Sequence, residues 1–212
     1  MKFRIDLKII FFIALFLITK QFNLYITIML FALLHEIAHM FIAILLKYKI
    51  KELELMPFGF WASMEPNFND YSRIIIKSNI IDVKNIFIAI AGPLLNLIFV
   101  IIFKNLENNF LAYSNLVVFI LNLIPIYPLD GGRILQSTLR IFFGKKEGDS
   151  TTNYVANALI IILTIVESIA ILYLKNIYML LILAYLWELV ILENKRFELK
   201  KKIWNWKELE NQ

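Results

Sequence analysis

What this chain can fold into is limited first by its apolar runs. Stretches with few charges fall at 5–19, 24–46, 86–103, 110–127, 154–174 and 177–193. Crossing the hydrocarbon core of a bilayer takes a helix of about 20 apolar residues, with a working range of about 17–25. The chain is 60% hydrophobic and 18% charged, with mean hydropathy +0.70, against about 45–50% and about 25% in soluble domains. The excess reads as lipid-facing surface. The expectation is an all-α integral membrane protein with six transmembrane helices over residues 1–193 and a basic, aromatic tail at 194–212.

Charge placement supports that partition. Lys and Arg number three at the N-terminus (Lys2, Arg4 and Lys8), six in 47–85, four in 131–153 and six in the tail, while Lys20, Lys104 and Lys175 stand alone in the alternate connections. Basic residues collect in cytoplasmic loops, so both termini and both long loops are expected in the cytoplasm of a multi-pass cell-membrane protein. The net charge of +5 then belongs to those loops and calls for no nucleic-acid partner. The start, MKFRIDLKIIFFIALFLITK, resembles a signal peptide but lacks a small-residue cleavage site, so it reads as a retained span. With no Cys in the chain, disulfides and thiolate metal sites are excluded.

Against this background the second span carries LLHEIAHMF. His35 and His39 stand at i and i+4, on one helical face, and are the only histidines present; such a pair can share one metal ion while Glu36 acts on its bound water. Neutral imidazoles suit Zn²⁺. The motif lies about eleven residues from either end of its span, roughly 16 Å deep by helix rise. A carboxylate at that depth costs at least about 2.5–3.5 kcal/mol, which a metal would offset. The plainer reading is two core histidines hydrogen-bonded between helices, with Glu36 facing water. A catalytic zinc usually takes three protein ligands and keeps one open position, and without Cys or a third His the third ligand must be acidic. Asp130 is favoured, because NLIPIYPLDGGRI breaks a helix beside it and unwound backbone at membrane depth is tolerated only in a protein interior or a cavity. Glu167 and Glu188 read as links within the bundle or as proton or substrate contacts.

HEIAH (35–39) followed by Asn122-x-x-Pro125-x-x-Pro128-x-Asp130-Gly131-Gly132 resembles the site-2 protease family of intramembrane zinc metalloproteases. AGPLLN, with Gly92, Pro93 and Asn96, matches a further family element, and LMPFGFW (55–61) resembles its membrane-associated loop, with Phe60 and Trp61 departing from the usual second glycine. The resemblance covers roughly 20–190 and is similar to the sporulation branch, which cuts the pro-sequence from a membrane-bound sigma-factor precursor. It implies one Zn²⁺ per chain held by His35, His39 and Asp130, with Glu36 as catalytic base. Substrate contacts are then expected at Asn122, Phe58, Gly59 and Asn96. Implied partners are a membrane-protein or membrane-associated peptide substrate in the lipid bilayer and, as a further expectation, an inhibitory membrane partner. That branch also carries a nucleotide-sensing C-terminal domain, for which 194–212 is too short.

The stretch 51–66 alternates Glu52 and Glu54 with Leu53 and Leu55 before Pro57 and Gly59, and so reads as a short membrane-associated β-hairpin. Its edge could pair with an unwound substrate by strand addition; the alternative is an amphipathic interfacial loop. Gly92 and Pro93 either let helices pack closely or serve substrate access. Two other functions compete with the protease: a catalytically inactive adaptor that binds helices, and a small metal or proton transporter. The intact motif argues against the first, and the lack of a second copy of the 122–132 pattern argues against the second.

Overall fold

The computed structural model describes residues 2–56, 59–66, 74–174 and 178–210. In order these form β1 (Lys2–Ile5), α1 (Lys8–Ile18), α2 (Phe22–Leu45), β2 (Tyr48–Met56), β3 (Gly59–Pro66), α3 (Ile74–Asn105), α4 (Asn109–Leu123), α5 (Asp130–Phe143), α6 (Lys145–Leu174) and α7 (Tyr178–Glu210). They divide into two compact units, Met1–Leu123 and Ile124–Gln212.

In the first unit α2 packs on α3, α4 and β3. Small residues permit the approach: Ala32 and Ala43 of α2 are buried, and Gly92 of α3 stands directly against the α2 histidines, as expected where lipid gives helices no hydrophobic reason to associate. Toward the other end of the pair Phe31 meets Phe99 and Phe103, each with ring centroids 5.7 Å away. Asn108 starts α4 as an N-cap, its Oδ1 accepting from Leu111 N–H at 3.1 Å.

The hairpin is present, with more strand than the sequence suggests. β2 pairs antiparallel with β3, and β1 adds to the far side of β2 in parallel, from Lys2 opposite Glu52 to Ile5 opposite Leu55. The basic N-terminal residues therefore include a strand, and α1 starts only at Lys8. After α2 the chain reverses through Leu46 and Lys47, the latter at φ 64°, and β3 lies lengthwise on α2. Gly59 sits against Ala32, Ala62 bonds Glu36, and Met64 packs on the cluster that Ala43 forms with Tyr48 and Ile88. Five strand steps from 59 to 64 cover roughly 17 Å, and the helix from Ala32 to Ala43 covers roughly 16 Å, so strand and helix keep pace. β3 thus runs along the helix that carries the HExxH motif, with its ladder to β2 on one edge only.

In the second unit Pro125 and Pro128 precede α5, an element that hydropathy alone does not reveal within 131–153. Gly144, at φ 83°, ends α5 in a conformation that favours glycine. The core joins Ile126, Ala156, Ile160, Leu186, Leu189 and Val190, and Asn157 and Asn194 exchange amide hydrogen bonds of 2.9 Å between α6 and α7. α7 continues unbroken past 193 to Glu210.

Among the described residues three helical stretches are long and apolar enough to cross a membrane: Phe22–Leu45, Asn79–Asn105 and Lys145–Ala170. Two of the expected spans, α1 with 11 residues and α4 with 15, are shorter than the roughly 20 that a straight crossing needs. Large apolar side chains such as Phe41, Ile101 and Ile165 point outward on these helices, more than a water-facing surface carries.

Candidate metal centre

His35, Glu36 and His39 are all buried on α2. The His39 ring is fixed by its Nδ1, 2.6 Å from the Ile88 carbonyl oxygen. A carbonyl only accepts, so Nδ1 carries the proton and Nε2 presents a lone pair. That lone pair meets His35 Nε2 at 3.0 Å. Two nitrogens on a tetrahedral zinc, each about 2.0–2.1 Å from the metal, stand about 3.3 Å apart, so the pair is close to ligand spacing before any ion is bound. A backbone carbonyl on the non-ligating nitrogen is also the usual way a metal histidine is oriented.

Gly92 makes room for this arrangement. A Cβ at this position would overlap Nε2 of both histidines. Close helix packing is therefore what Gly92 provides here, and any larger residue would occupy the space the ligand atoms face. Pro93 follows inside α3 and withholds the amide that would otherwise bond the Ala89 carbonyl.

Glu36 points to the strand. Its Oε1 accepts from Ala62 N–H at 2.9 Å, and both residues are buried. Of the residues expected at the substrate, Asn96 lies on α3 one turn beyond Gly92 and is fully buried, with neither amide atom bonded among the described residues. Asn122 turns its Nδ2 back to the Val118 carbonyl at 3.0 Å. Gly59 opens β3, and Phe58 lies outside the described residues.

Asp130, in the second unit, is the first residue of α5 and is 3% exposed. A carboxylate is favoured at a helix N-terminus, and Arg133 Nη1 approaches it at 4.0 Å. The following Gly132 packs on the backbone of Ile126 and Tyr127, where a Cβ would not fit. The prolines and glycines around Asp130 thus bend the chain back onto the start of its own helix. His35, His39 and Asp130 each offer one ligand atom from a buried position. The donor set, two imidazoles and one carboxylate, suits Zn²⁺.

Two contacts were invisible to sequence reasoning, the Ile88 carbonyl on His39 and the Ala62 amide on Glu36. Both are backbone groups, which every residue of this kind carries, so no residue type marks them.

The profile of peptidase family M50 matches residues 23–106 and 108–166. Stage IV sporulation protein FB of Bacillus subtilis is 30% identical over 126 residues, which is 58% of this chain and 42% of that protein. A zinc metalloprotease of Methanocaldococcus jannaschii is 31% identical over 133 residues, 57% of this chain and 35% of the relative. The chain thus matches less than half the length of either curated relative. In fold it is similar to the solved site-2 protease from Methanocaldococcus jannaschii, with TM-score 0.69, 22% identity and 91% of each chain covered. The chain belongs to peptidase family M50.

Proposed function

We propose that this protein is a zinc-dependent intramembrane endopeptidase that cuts a transmembrane or membrane-associated protein near the cytoplasmic face. The observation that carries the reading is the HExxH pair itself, with two imidazole nitrogens 3.0 Å apart, one ring locked by a backbone carbonyl, and a buried carboxylate on the intervening residue. In this reading His35, His39 and Asp130 hold the ion. Zinc held there would supply Lewis-acid polarisation of water and a positive charge toward an oxyanion. Glu36 would take up a proton at its carboxylate and pass it to the leaving amine. His39 keeps its tautomer through Ile88, which leaves its Nε2 available as a ligand.

The scissile bond of a helical substrate is shielded, because each carbonyl is bonded to an amide four residues on. The substrate must therefore unwind, and the β3 edge is the proposed partner for the extended segment. Gly59 and Phe58 are further proposed contacts of that segment, with Asn122 and Asn96 supplying amides nearer the reacting bond. Six spans with cytoplasmic termini remain the preferred topology, on the charge bias. A sigma-factor precursor of the kind processed in sporulation is the first substrate to test, followed by single-span peptides in general.

The test is a cleavage assay in detergent micelles or vesicles, with products mapped by mass. Cuts within a few residues of the cytoplasmic membrane boundary support the proposal. Cuts only in soluble loops, or at the opposite boundary, would show that the site opens elsewhere.

A further inference from the structure

The three-stranded sheet is edged by β1 and β3, and it is the β3 edge that meets the HExxH helix. In an antiparallel ladder successive residues turn their backbone groups alternately to the partner and away from it. Ala62, opposite Leu53, does not give its N–H to β2. That N–H goes to Glu36 Oε1 at 2.9 Å. Phe60, two residues earlier, shares its orientation. The open edge thus presents the backbone of Phe60 and Ala62, and at Ala62 the donor is already engaged by the carboxylate of the HExxH motif. A strand laid here passes beside α2 at Glu36, between His35 and His39.

From these contacts we infer that the Ala62 amide is a latch on Glu36 that the substrate itself releases. The inference rests on the peptidase reading above and adds a step to it. One N–H hydrogen serves one acceptor at full strength. A substrate carbonyl that pairs with Ala62 must displace the Glu36 carboxylate, which then swings from the strand toward the histidines, where the water is to be deprotonated. Resting enzyme holds its base on the sheet, and a paired strand sets it free. Ala62 is accordingly a positioning residue acting through its backbone, and only a peptide extended on β3 triggers it.

The test measures binding as well as turnover. The probe is a single-span peptide carrying a reduced CH₂–NH bond at the mapped cut site, titrated into zinc-loaded, full-length protein in micelles. If Glu36 competes for the Ala62 donor, Glu36→Ala binds the probe about tenfold more tightly than wild type, the size of one charge-assisted hydrogen bond. In an Ala62→Pro background, which removes the N–H at an edge where proline is tolerated, the same substitution changes affinity less than about twofold, a double-mutant cycle that isolates the pair. Should Ala62→Pro not fold, ¹⁵N-alanine-labelled protein reports instead. The Ala62 amide proton then shifts on adding probe to wild type and arrives where it lies in probe-bound Glu36→Ala. Equal or weaker binding by Glu36→Ala, or an Ala62 resonance unmoved by probe, overturns the latch. Wild type that binds no probe at all overturns the substrate reading, and the latch with it.

Discussion

Two buried carboxylates on long apolar helices are treated in opposite ways. Glu36 of α2 is held by a neutral backbone amide, Ala62 N–H at 2.9 Å. Asp149 of α6, 4% exposed, is held by cations: Arg140 brings Nε and Nη2 to Oδ1 at 2.6 Å each, and Lys200 of α7 reaches Oδ2 at 3.5 Å. Lys200 also stands 3.9 Å from Glu193 Oε1, and Arg196 stands 3.9 Å from Glu193 Oε2. Beneath the cluster Gly148 comes so close to the Arg140 backbone that a Cβ would clash. A carboxylate that joins helices is neutralised and surrounded. Glu36, the proposed base, is met instead by a neutral donor. The contrast separates scaffold from chemistry within one chain.

The largest effect that should sharpen this contrast is on the scaffold side. Asp149→Ala leaves Arg140 and Lys200 without their shared anion, and breaking a buried pair costs about 3–5 kcal/mol. Thermal unfolding of the variant should show that loss, while the folded fraction keeps one zinc per chain. Zinc loss at unchanged stability would mean that Asp149 belongs to the chemistry instead.

Next comes Gly92→Ala, whose main effect should fall on the chemistry side. Alanine favours the helix by about 1 kcal/mol over glycine, which offsets part of the cost of a Cβ that falls on both histidine nitrogens. Zinc affinity should drop by about 100-fold, comparable with the largest losses seen on disturbing a ligand's support, with a smaller loss of unfolding temperature than in Asp149→Ala. Competition with a chromophoric chelator measures the first, and calorimetry the second.

Smaller effects should follow from Arg140→Lys and Tyr48→Phe. The first keeps the charge but loses the fork that places two nitrogens on one oxygen, and should cost about 1 kcal/mol of stability. The second removes the hydroxyl that donates to Asn85 Oδ1 at 3.0 Å, again about 1 kcal/mol. Burial, and then the nearby Asp82 charge, push the Tyr48 phenol up to about 12 from 10.0. Because the folded value is the higher one, wild type keeps this contribution below pH 10 and loses it between about 10 and 12. Tyr48→Phe should flatten that limb of the stability profile, and an unchanged limb would assign it to another group.

Much of the chemistry was legible because it rests on rare side chains. Two histidines in 212 residues, four apart and inside an apolar run, left few readings, and the proline and glycine pattern before α5 drew attention to Asp130. The hairpin was legible too, from alternation around Pro57 and Gly59. Other parts were hidden for physical reasons. β1 is four residues long, pairs with β2 through its backbone and an Arg4–Glu52 ion pair at 3.5 Å, and its basic residues read as a topogenic tail. α5 carries Asp130, Arg133 and Arg140 on an amphipathic helix, so a hydropathy scan passes over it. The charges of 131–153 and of the tail read as cytoplasmic markers, whereas Arg140, Asp149, Glu193 and Lys200 form a buried cluster that depends on which helix faces meet. The course of β3 along α2 follows from close contact at Gly59, Ala62 and Met64, which no residue letter announces.

The proposed role of Glu36, moving a proton beside a zinc held by the histidine pair, is tested by measuring zinc content and peptide cleavage together in wild type and Glu36→Gln, each before and after chelation and zinc return. Both proteins should hold one zinc per chain, wild-type cleavage should vanish with the metal and return with it, and the rate in Glu36→Gln should be lower by about 10²–10⁴-fold, as for loss of a positioned acid–base group. A Glu36→Gln protein that retains zinc and cuts within a few-fold of wild type, or a wild type that cuts equally well without zinc, would contradict it.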